Sequence, residues 1–335
     1  MKKIVKFFAI LISAVLGLVL ALYIVIFQAS PWPASMIVRR AFEDAPARPP
    51  TNYDEILSSI DTHLDLEYPS AYARNTLDLF CPHDADSPLP VVIWVHGGAF
   101  VGGDKADVRY YTQTLSASGY AVVAMNYLRA PEGNYPSVLL QLDEVYQYLK
   151  TVSDDFGLDV NRIVLAGDSA GAQIVAQAAA LLSNPDYAQS LSFSMSIPRE
   201  SLRGVLLYCG PFSISALTES SSSHIWTQLI KMIGWSYFGD RGWQKTHLET
   251  ETSVLFHVTS DFPPAFVTDG NTFSFERQGR EMVAALRSLD VPVTELFFDI
   301  NEHKTVHIYQ FLQDTIPGQM SVEETVRFLE TVNGR

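Results

Sequence analysis

The chain has 335 residues and is 47% hydrophobic, enough for one large domain or two ordinary ones with a sizeable core. Thirty-seven acidic residues against 23 basic ones give a formal net charge of -14, which argues against a nucleic-acid partner, since such binding leans on positive charge. The acids are spread along the chain as a solvated surface would have them, and two cysteines, Cys81 and Cys209, make no disulfide framework.

The first element is apolar. From Phe7 to Phe27 no residue is charged, a run of 21. At about 1.5 Å per residue it spans roughly 30 Å, the hydrocarbon thickness of a bilayer. It is longer than the apolar region of a secretory signal, and no small-residue cleavage site follows within it. Residues 1–29 are therefore expected to form an uncleaved transmembrane anchor. Lys2, Lys3 and Lys6 precede the run and the next basic residue is Arg39, so the positive-inside rule predicts a single-pass protein with its large domain extracytoplasmic. Residues 30–69 are rich in proline and read as a tether and possible cap segment, with a short helix around Met36 to Phe42.

From about residue 70 to 335 strands and helices alternate. The predicted strands are "TLDLFC", "PVVIWVHG", "YAVVAMNY", "NRIVLAG", "LRGVLLYCG", "PPAFVTDG" and "VPVTELFFD". "PVVIWV" is almost continuously apolar, as in a strand buried on both faces. The predicted helices are residues 107–118, "PSVLLQLDEVYQYLKTVS", "AGAQIVAQAAALLS", "FERQGREMVAALRSL" and a last segment opened by "HIYQFLQD". In the second of these, Val138, Leu139, Leu142, Val145, Tyr146 and Leu149 recur at helical spacing. The alternation implies an α/β fold with a mostly parallel central sheet and helices on both faces. An insertion at about 212–260 breaks the rhythm. It carries Trp226, Trp235, Tyr237 and Trp243 and is placed to wall a pocket or to pack as a helical excursion.

Chemistry concentrates at two glycine-rich turns. "AGDSAGA" sets Ser169 between Gly167 and Gly171, after a strand and at the opening of a helix. A sharp turn with small neighbours lifts such a hydroxyl above the sheet edge, and the helix N-terminus favours developing negative charge. Ser169 is the expected nucleophile. "VHGGAFVGGDK" follows an earlier strand; the N–H groups of Gly97 and Gly98, with that of Ala170, would cradle an oxyanion. His96 reads as a loop-ordering residue rather than a base.

With these motifs in place the chain resembles the α/β-hydrolase superfamily, and within it the hormone-sensitive-lipase-like esterases. The resemblance covers roughly residues 70–335 and rests on His96-Gly97-Gly98-Ala99, "NYLRAPEGNYP", Gly167-Asp168-Ser169-Ala170-Gly171 and a late His307. Ala99 stands where the family usually has a third glycine. The resemblance implies a serine hydrolase acting on a small-molecule carboxylic ester, no cofactor, and a cap of N-terminal and inserted segments. The base follows the nucleophile in this triad order. Of His303 and His307, the second fits the family's position just before an aromatic residue, here Tyr309 or Phe311. Their i, i+4 spacing has no HExxH pattern or nearby cysteine, so no metal is expected.

The acid is harder to find. The family's carboxylate falls two or three residues past the glycine ending the penultimate strand, which here gives Thr272 or Phe273. The nearest carboxylates are Asp269, before Gly270, and Glu276, in the first turn of the next helix with Ser274 as its cap. Asp269 is preferred, because catalytic groups gather at the carboxyl edge of such sheets. Three alternatives stay open: Glu276, an acid elsewhere, or a Ser–His pair without one. A peptidase or glycan deacetylase on the same fold, or an inactive binding protein, are the rival functions.

Overall fold

The computed structural model describes residues 2–42, 47–83, 88–219 and 224–334. Parts of the expected tether and insertion, residues 43–46 and 220–223, lie outside them. The helices are α1 (Lys2–Ile24), α2 (Trp32–Phe42), α3 (Tyr53–Ser58), α4 (Arg109–Ala117), α5 (Ser137–Phe156), α6 (Ala170–Ser183), α7 (Pro185–Ser190), α8 (Ile214–Glu219), α9 (His224–Phe238), α10 (Leu248–Thr252), α11 (Glu276–Ser288) and α12 (Ile316–Asn333). The strands are β1 (Ile60–Glu67), β2 (Thr76–Pro82), β3 (Leu89–Val95), β4 (Ala121–Met125), β5 (Leu158–Asp168), β6 (Leu202–Tyr208), β7 (Ala265–Thr268) and β8 (Val293–Leu296). They form one eight-stranded sheet in the order β1-β2-β4-β3-β5-β6-β7-β8. β2 is antiparallel to β1 and β4, and the other pairs are parallel.

The sheet is the core because its central strands are apolar on both faces. Val91, Ile93 and Val95 of β3 enter one hydrophobic cluster, and Val92 and Trp94 enter the other. Ile163 and Leu165 of β5 divide from Val164 and Ala166 in the same way. Each large apolar side chain taken out of water stabilises the fold by about 1.5–3 kcal/mol. α5 presents its expected residues, Val138 through Leu149, to the first cluster. It ends at Gly157, whose φ of 62° is the left-handed conformation of a glycine stop signal.

Two expectations need correction. The sheet begins at β1, before residue 70. This edge strand is largely exposed, and its register shifts between His63 and Leu66, where Asp65 has φ 55°. A bulge interrupts the period-two alternation by which a strand is read from sequence. The last helix does not open at "HIYQFLQD". Only Tyr309–Phe311 form a helical turn there; α12 starts after Thr315, whose side chain accepts the Gly318 N–H at 3.2 Å, with a proline in its first turn.

The N-terminal segment and the insertion meet over the sheet's carboxyl edge. α2 packs on α9, where the Ser35 and Ser236 hydroxyls lie 2.5 Å apart. Arg39 of α2 donates to the carbonyls of Val101 (2.7 Å) and Ala130 (3.0 Å) and pairs with Glu132 (2.8 Å). Farther along, the N–H of Arg48 donates to the Phe311 carbonyl at 2.9 Å. In the insertion Trp243 is buried under Gly234 and Trp226 is exposed. Tyr237 stacks on Phe100, next to the glycine turn, with centroids 4.1 Å apart. Ahead of all this, Lys2–Ala29 is helical; its most apolar stretch has a mean hydropathy of 3.0 and is not buried, while near its end Gln28 accepts a hydrogen bond from Arg241 of the insertion. The helix is long and apolar enough to cross a membrane.

Candidate active site

Ser169 links β5 to α6 with φ 53° and ψ -119°, a conformation disfavoured for a residue with a Cβ. Close packing enforces it. A Cβ on Gly171 would lie 2.0 Å from the Val95 carbonyl oxygen, and one on Gly167 would lie 2.5 Å from Gly171. The helix backbone therefore presses against β3 only because both positions lack side chains, and the Ser169 N–H is tied to the Tyr208 carbonyl at 2.8 Å. The hydroxyl faces His307, with Oγ 3.0 Å from Nε2.

Asp168 organises the other turn. Its Oδ1 accepts the Trp94 indole N–H at 2.9 Å and its Oδ2 the Gly97 N–H at 3.1 Å. Burial pushes its pKa up to about 7, against the pull of these two donors. The expected oxyanion set changes accordingly: Gly97 has committed its N–H to Asp168, so it is not a free donor. The Gly98 turn is held through the Gly98 carbonyl, which accepts from Val101 (3.1 Å) and Gly102 (2.7 Å). Ala170 sits at the first position of α6, where intrahelical partners for N–H groups are lacking. Gly98 and Ala170 thus remain as candidate donors. His96 is buried, stacks on Tyr127 and holds Nδ1 2.6 Å from the Gly97 carbonyl, so its Nδ1 carries the proton. Burial lowers its pKa to about 4.

Among the described residues no carboxylate is hydrogen-bonded directly to His307. Asp269 directly follows β7 and is buried, with a carboxylate oxygen within 4.8 Å of a His307 ring nitrogen but not hydrogen-bonded to it. The Ser274 hydroxyl stands between: its Oγ is 2.7 Å from His307 Nδ1, and it donates to Asp269 Oδ1. Ser274 is not the helix cap that its position suggested, since α11 begins after Phe275 with no side-chain cap. Glu276 is turned outward and pairs with Arg280 at 2.7 Å. His303 packs on Phe298, with centroids 5.5 Å apart, outside the site.

Burial raises Asp269 to about 7, offset in part by the Ser274 hydroxyl, the Cys209 thiol and the N–H groups of Gly270 and Phe275. Its second oxygen, Oδ2, is buried without a well-aligned hydrogen bond among the described residues. His307 keeps some surface accessible, yet the protein around its ring lowers its pKa to about 4, so the imidazole is neutral near pH 7. Phe275 meets the ring edge-on at 5.3 Å.

The loops carrying Ser274 and His307 are stitched together by groups that the sequence reading passed over. The Asn271 side chain donates to the carbonyls of Phe298 (3.2 Å) and His303 (2.8 Å) and accepts the Thr305 N–H (3.0 Å). The Thr272 N–H returns to the Thr305 carbonyl at 2.9 Å. A legible signal existed in "GN" after a strand, a turn-forming pair, but its partners are some thirty residues away. Cys209, Asp269 and His307 bring one ligating atom each within 4.8 Å of one another, an arrangement that could hold a cation. Burial pushes the Cys209 thiol far above its ordinary pKa, which disfavours the thiolate a soft metal requires.

A narrow cleft, partly open to solvent, leads to Ser169 and His307 past Ala47, Gly98, Ile308 and Phe311. The tether and the His307 loop thus share its wall. The geometry can activate a serine hydroxyl through a neutral imidazole beside backbone donors.

Comparison with known proteins agrees with this architecture. Esterase B from Lactobacillus rhamnosis superposes with a TM-score of 0.72 over 90% of this chain and 94% of that one, at 21% identity. A thermostable carboxylesterase, EstE1, from a metagenomic library gives a TM-score of 0.66 at 18% identity, covering 91% of this chain and 98% of that one. At such identities these likenesses speak for the fold, and the α/β-hydrolase expectation holds. In sequence, a probable carboxylic ester hydrolase of Mycobacterium tuberculosis is 22% identical over 78% of this chain and 63% of its own length. A probable isoprenylcysteine alpha-carbonyl methylesterase of Oryza sativa subsp. japonica is 35% identical over 31% of this chain and 25% of its own. The chain thus spans less than two-thirds of the length of these curated relatives. The BD-FAE family model matches residues 77–275, more than half of the chain, from within β2 to the end of β7 and beyond, and the protein belongs to the BD-FAE family.

Proposed function

We propose that the protein is a serine hydrolase of small carboxylic esters. The observation that carries this reading is the 3.0 Å approach of His307 Nε2 to Ser169 Oγ in the wall of a cleft. Ser169 Oγ attacks the acyl carbon as its proton passes to Nε2. The N–H groups of Gly98 and Ala170 take the oxyanion. Collapse expels the alcohol, which receives the proton from His307. Water, deprotonated by the same nitrogen, then attacks the acyl-enzyme, and Ser169 recovers its proton. Removing one oxyanion donor from such a site typically lowers turnover by about 100- to 1,000-fold. The narrow cleft and its apolar wall favour a short acyl group, and the carboxylic-ester chemistry of the mycobacterial and plant relatives supports the class.

The test is covalent labelling with a fluorophosphonate, alongside hydrolysis of p-nitrophenyl acetate and butyrate. The full chain reacts in both assays, and Ser169→Ala reacts in neither while melting at the wild-type temperature. Turnover by Ser169→Ala near the wild-type rate would refute the reading. A protein that kept the fold only for binding would fail to label at all.

The helix Lys2–Ala29 supports a second part of the reading, a single-pass anchor with the hydrolase domain extracytoplasmic, oriented by Lys2, Lys3 and Lys6. The full chain then stays in the membrane pellet through a carbonate wash. Recovery in the supernatant contradicts the anchor.

A further inference from the structure

Ser274 lies between the base and the acid, and the direction of its hydrogen bonds decides what it does there. A serine hydroxyl has one hydrogen to give and two lone pairs to receive with. Asp269 Oδ1 and His307 Nδ1 both lie within reach of Ser274 Oγ. An ionised carboxylate only accepts, so the Ser274 hydrogen goes to Oδ1. Oγ then receives, and the group opposite, His307 Nδ1, must carry a proton to donate. That leaves Nε2 bare, and Nε2 is the nitrogen facing Ser169 Oγ at 3.0 Å. One hydroxyl thus fixes the tautomer that lets His307 act as a base.

The backbone around Ser274 points the same way. Phe273, immediately before it, has φ 50° with its ring 96% exposed, so no contact of that ring accounts for the conformation. A bulky residue in this region is an outlier, and such strain gathers at functional sites. The strained turn is held by the pairing of Thr272 with the residues before His307. Its consequence is a Ser274 side chain directed into the gap between Asp269 and the imidazole.

We propose that Ser274 is a positioning residue through which Asp269 acts on His307, so that the site runs Ser169–His307–Ser274–Asp269. The inference rests on the esterase reading above and adds to it a fourth member. No proton reaches the carboxylate in this arrangement. When Nε2 takes the proton of Ser169, the imidazolium keeps its Nδ1–H on Ser274 Oγ, and the hydroxyl dipole, aligned by Asp269, faces the new charge. The proton on Nε2 leaves with the alcohol.

The experiment is a double-mutant cycle on the full-length protein, read with p-nitrophenyl butyrate. Ser274→Ala lowers kcat by about 30- to 100-fold with KM within about twofold, and it leaves the melting temperature unchanged. Ser274→Thr, which keeps the hydroxyl, recovers most of that loss. Because Asp269 acts through Ser274, Ser274→Ala/Asp269→Asn is no slower than the worse of the two single variants. Two kinetic results would overturn the proposal: Ser274→Ala within threefold of wild type, or a double-variant loss equal to the product of the single losses. If Ser274→Ala fails to fold, Ser274→Thr together with Asp269→Asn decides, since a Thr variant as slow as Asp269→Asn contradicts the relay. A second readout does not depend on turnover. Nitrogen-15 NMR of labelled histidine, with His307→Gln for assignment, shows His307 protonated at Nδ1 in the wild type and a mixture of tautomers in Ser274→Ala. The same tautomer in both proteins would also overturn it. A wild-type chain that neither labels with fluorophosphonate nor hydrolyses esters refutes the esterase reading instead, and the tautomer measurement still judges Ser274.

Discussion

Two strained turns meet at this site, each beside a glycine packed against a backbone carbonyl, and they deliver different groups. At the proposed nucleophile, Ser169 has φ 53°, and the strain is locked by backbone packing: Gly171 lies flat against the Val95 carbonyl. At the loop carrying the proposed acid, Phe273 has φ 50°; Gly270 lies against the Val306 carbonyl, where a Cβ would fall 2.2 Å from the oxygen, and hydrogen bonds through Asn271, Thr272 and Thr305 add to that packing. The first turn leaves no slack and delivers its functional atom directly. The second delivers a hydroxyl in place of a carboxylate. Backbone packing fixes where each turn runs, and the side chain that follows it decides which group reaches His307.

The sharpest way to break this contrast is Gly171→Ala. The new Cβ would meet a backbone oxygen at 2.0 Å, which cannot rotate away. Either β3 or α6 must move by more than about 1 Å, and a misplacement of that size alone can lower a rate about 100-fold. Both the Ser169 hydroxyl and the Ala170 N–H are displaced, so esterase turnover is expected to fall by more than about 1,000-fold, with a lower melting temperature. A variant with wild-type turnover and stability would show that the elbow is softer than its packing indicates.

Asp269→Asn comes next. A direct triad acid lowers turnover by about 10,000-fold when its charge is removed in this manner. Acting through a hydroxyl, Asp269 is expected to contribute less, about 100-fold. The pH profile gives a finer readout. His307, with its pKa lowered to about 4, is already neutral above that pH, so its titration does not limit kcat/KM near neutrality. Asp269, raised to about 7, ionises in that range beside the Cys209 thiol, the Ser274 hydroxyl and the N–H groups of Gly270 and Phe275. The wild-type kcat/KM therefore climbs through about pH 7 as the carboxylate gains its charge, and Asp269→Asn loses that limb. A variant that keeps the limb assigns it to another group.

The smallest effect belongs to Glu276→Gln. Its ion pair with Arg280 is an exposed i, i+4 contact, worth about 0.3–0.5 kcal/mol, and its place in the first turn of α11 adds about 0.3–1 kcal/mol. Turnover is expected to stay within about threefold of wild type. A crippled Glu276→Gln beside a normal Asp269→Asn would move the acid to α11.

The proposed acid was the least legible part of the site for a reason visible in these residues. Glycine at 167 and 171 announces a close approach, because only a missing Cβ permits it, and the spacing is local. Nothing local announces that Ser274 faces a histidine thirty-three residues away. Its neighbours, an acidic residue two positions on and a helix beyond, make it look like a cap. Gly97 failed similarly. The HGG spacing told of a turn, but the partner that takes its N–H, Asp168, belongs to a different strand. The edge strand β1 was missed because its bulge spoils the alternation, while β3 and β5 were plain because both of their faces are apolar.

The sequence by itself determined the alternating α/β architecture, the apolar N-terminal helix and the position of the serine elbow. Each of these follows from short-range patterns: the period of apolar residues, an uninterrupted apolar run, and small residues at fixed offsets. Only the tertiary structure decided which atoms face His307. That choice depends on how β7 and β8 end, how Asn271 ties their loops together, and how a strained Phe273 turns the next side chain inward. Hydrogen-bond partners across a fold are set by the register and twist of the whole sheet, and a hydroxyl or a carboxylate can fill the same gap. Burial of Asp269 and Ser274's place between it and the imidazole are properties of the packed loops, not of the residues that name them.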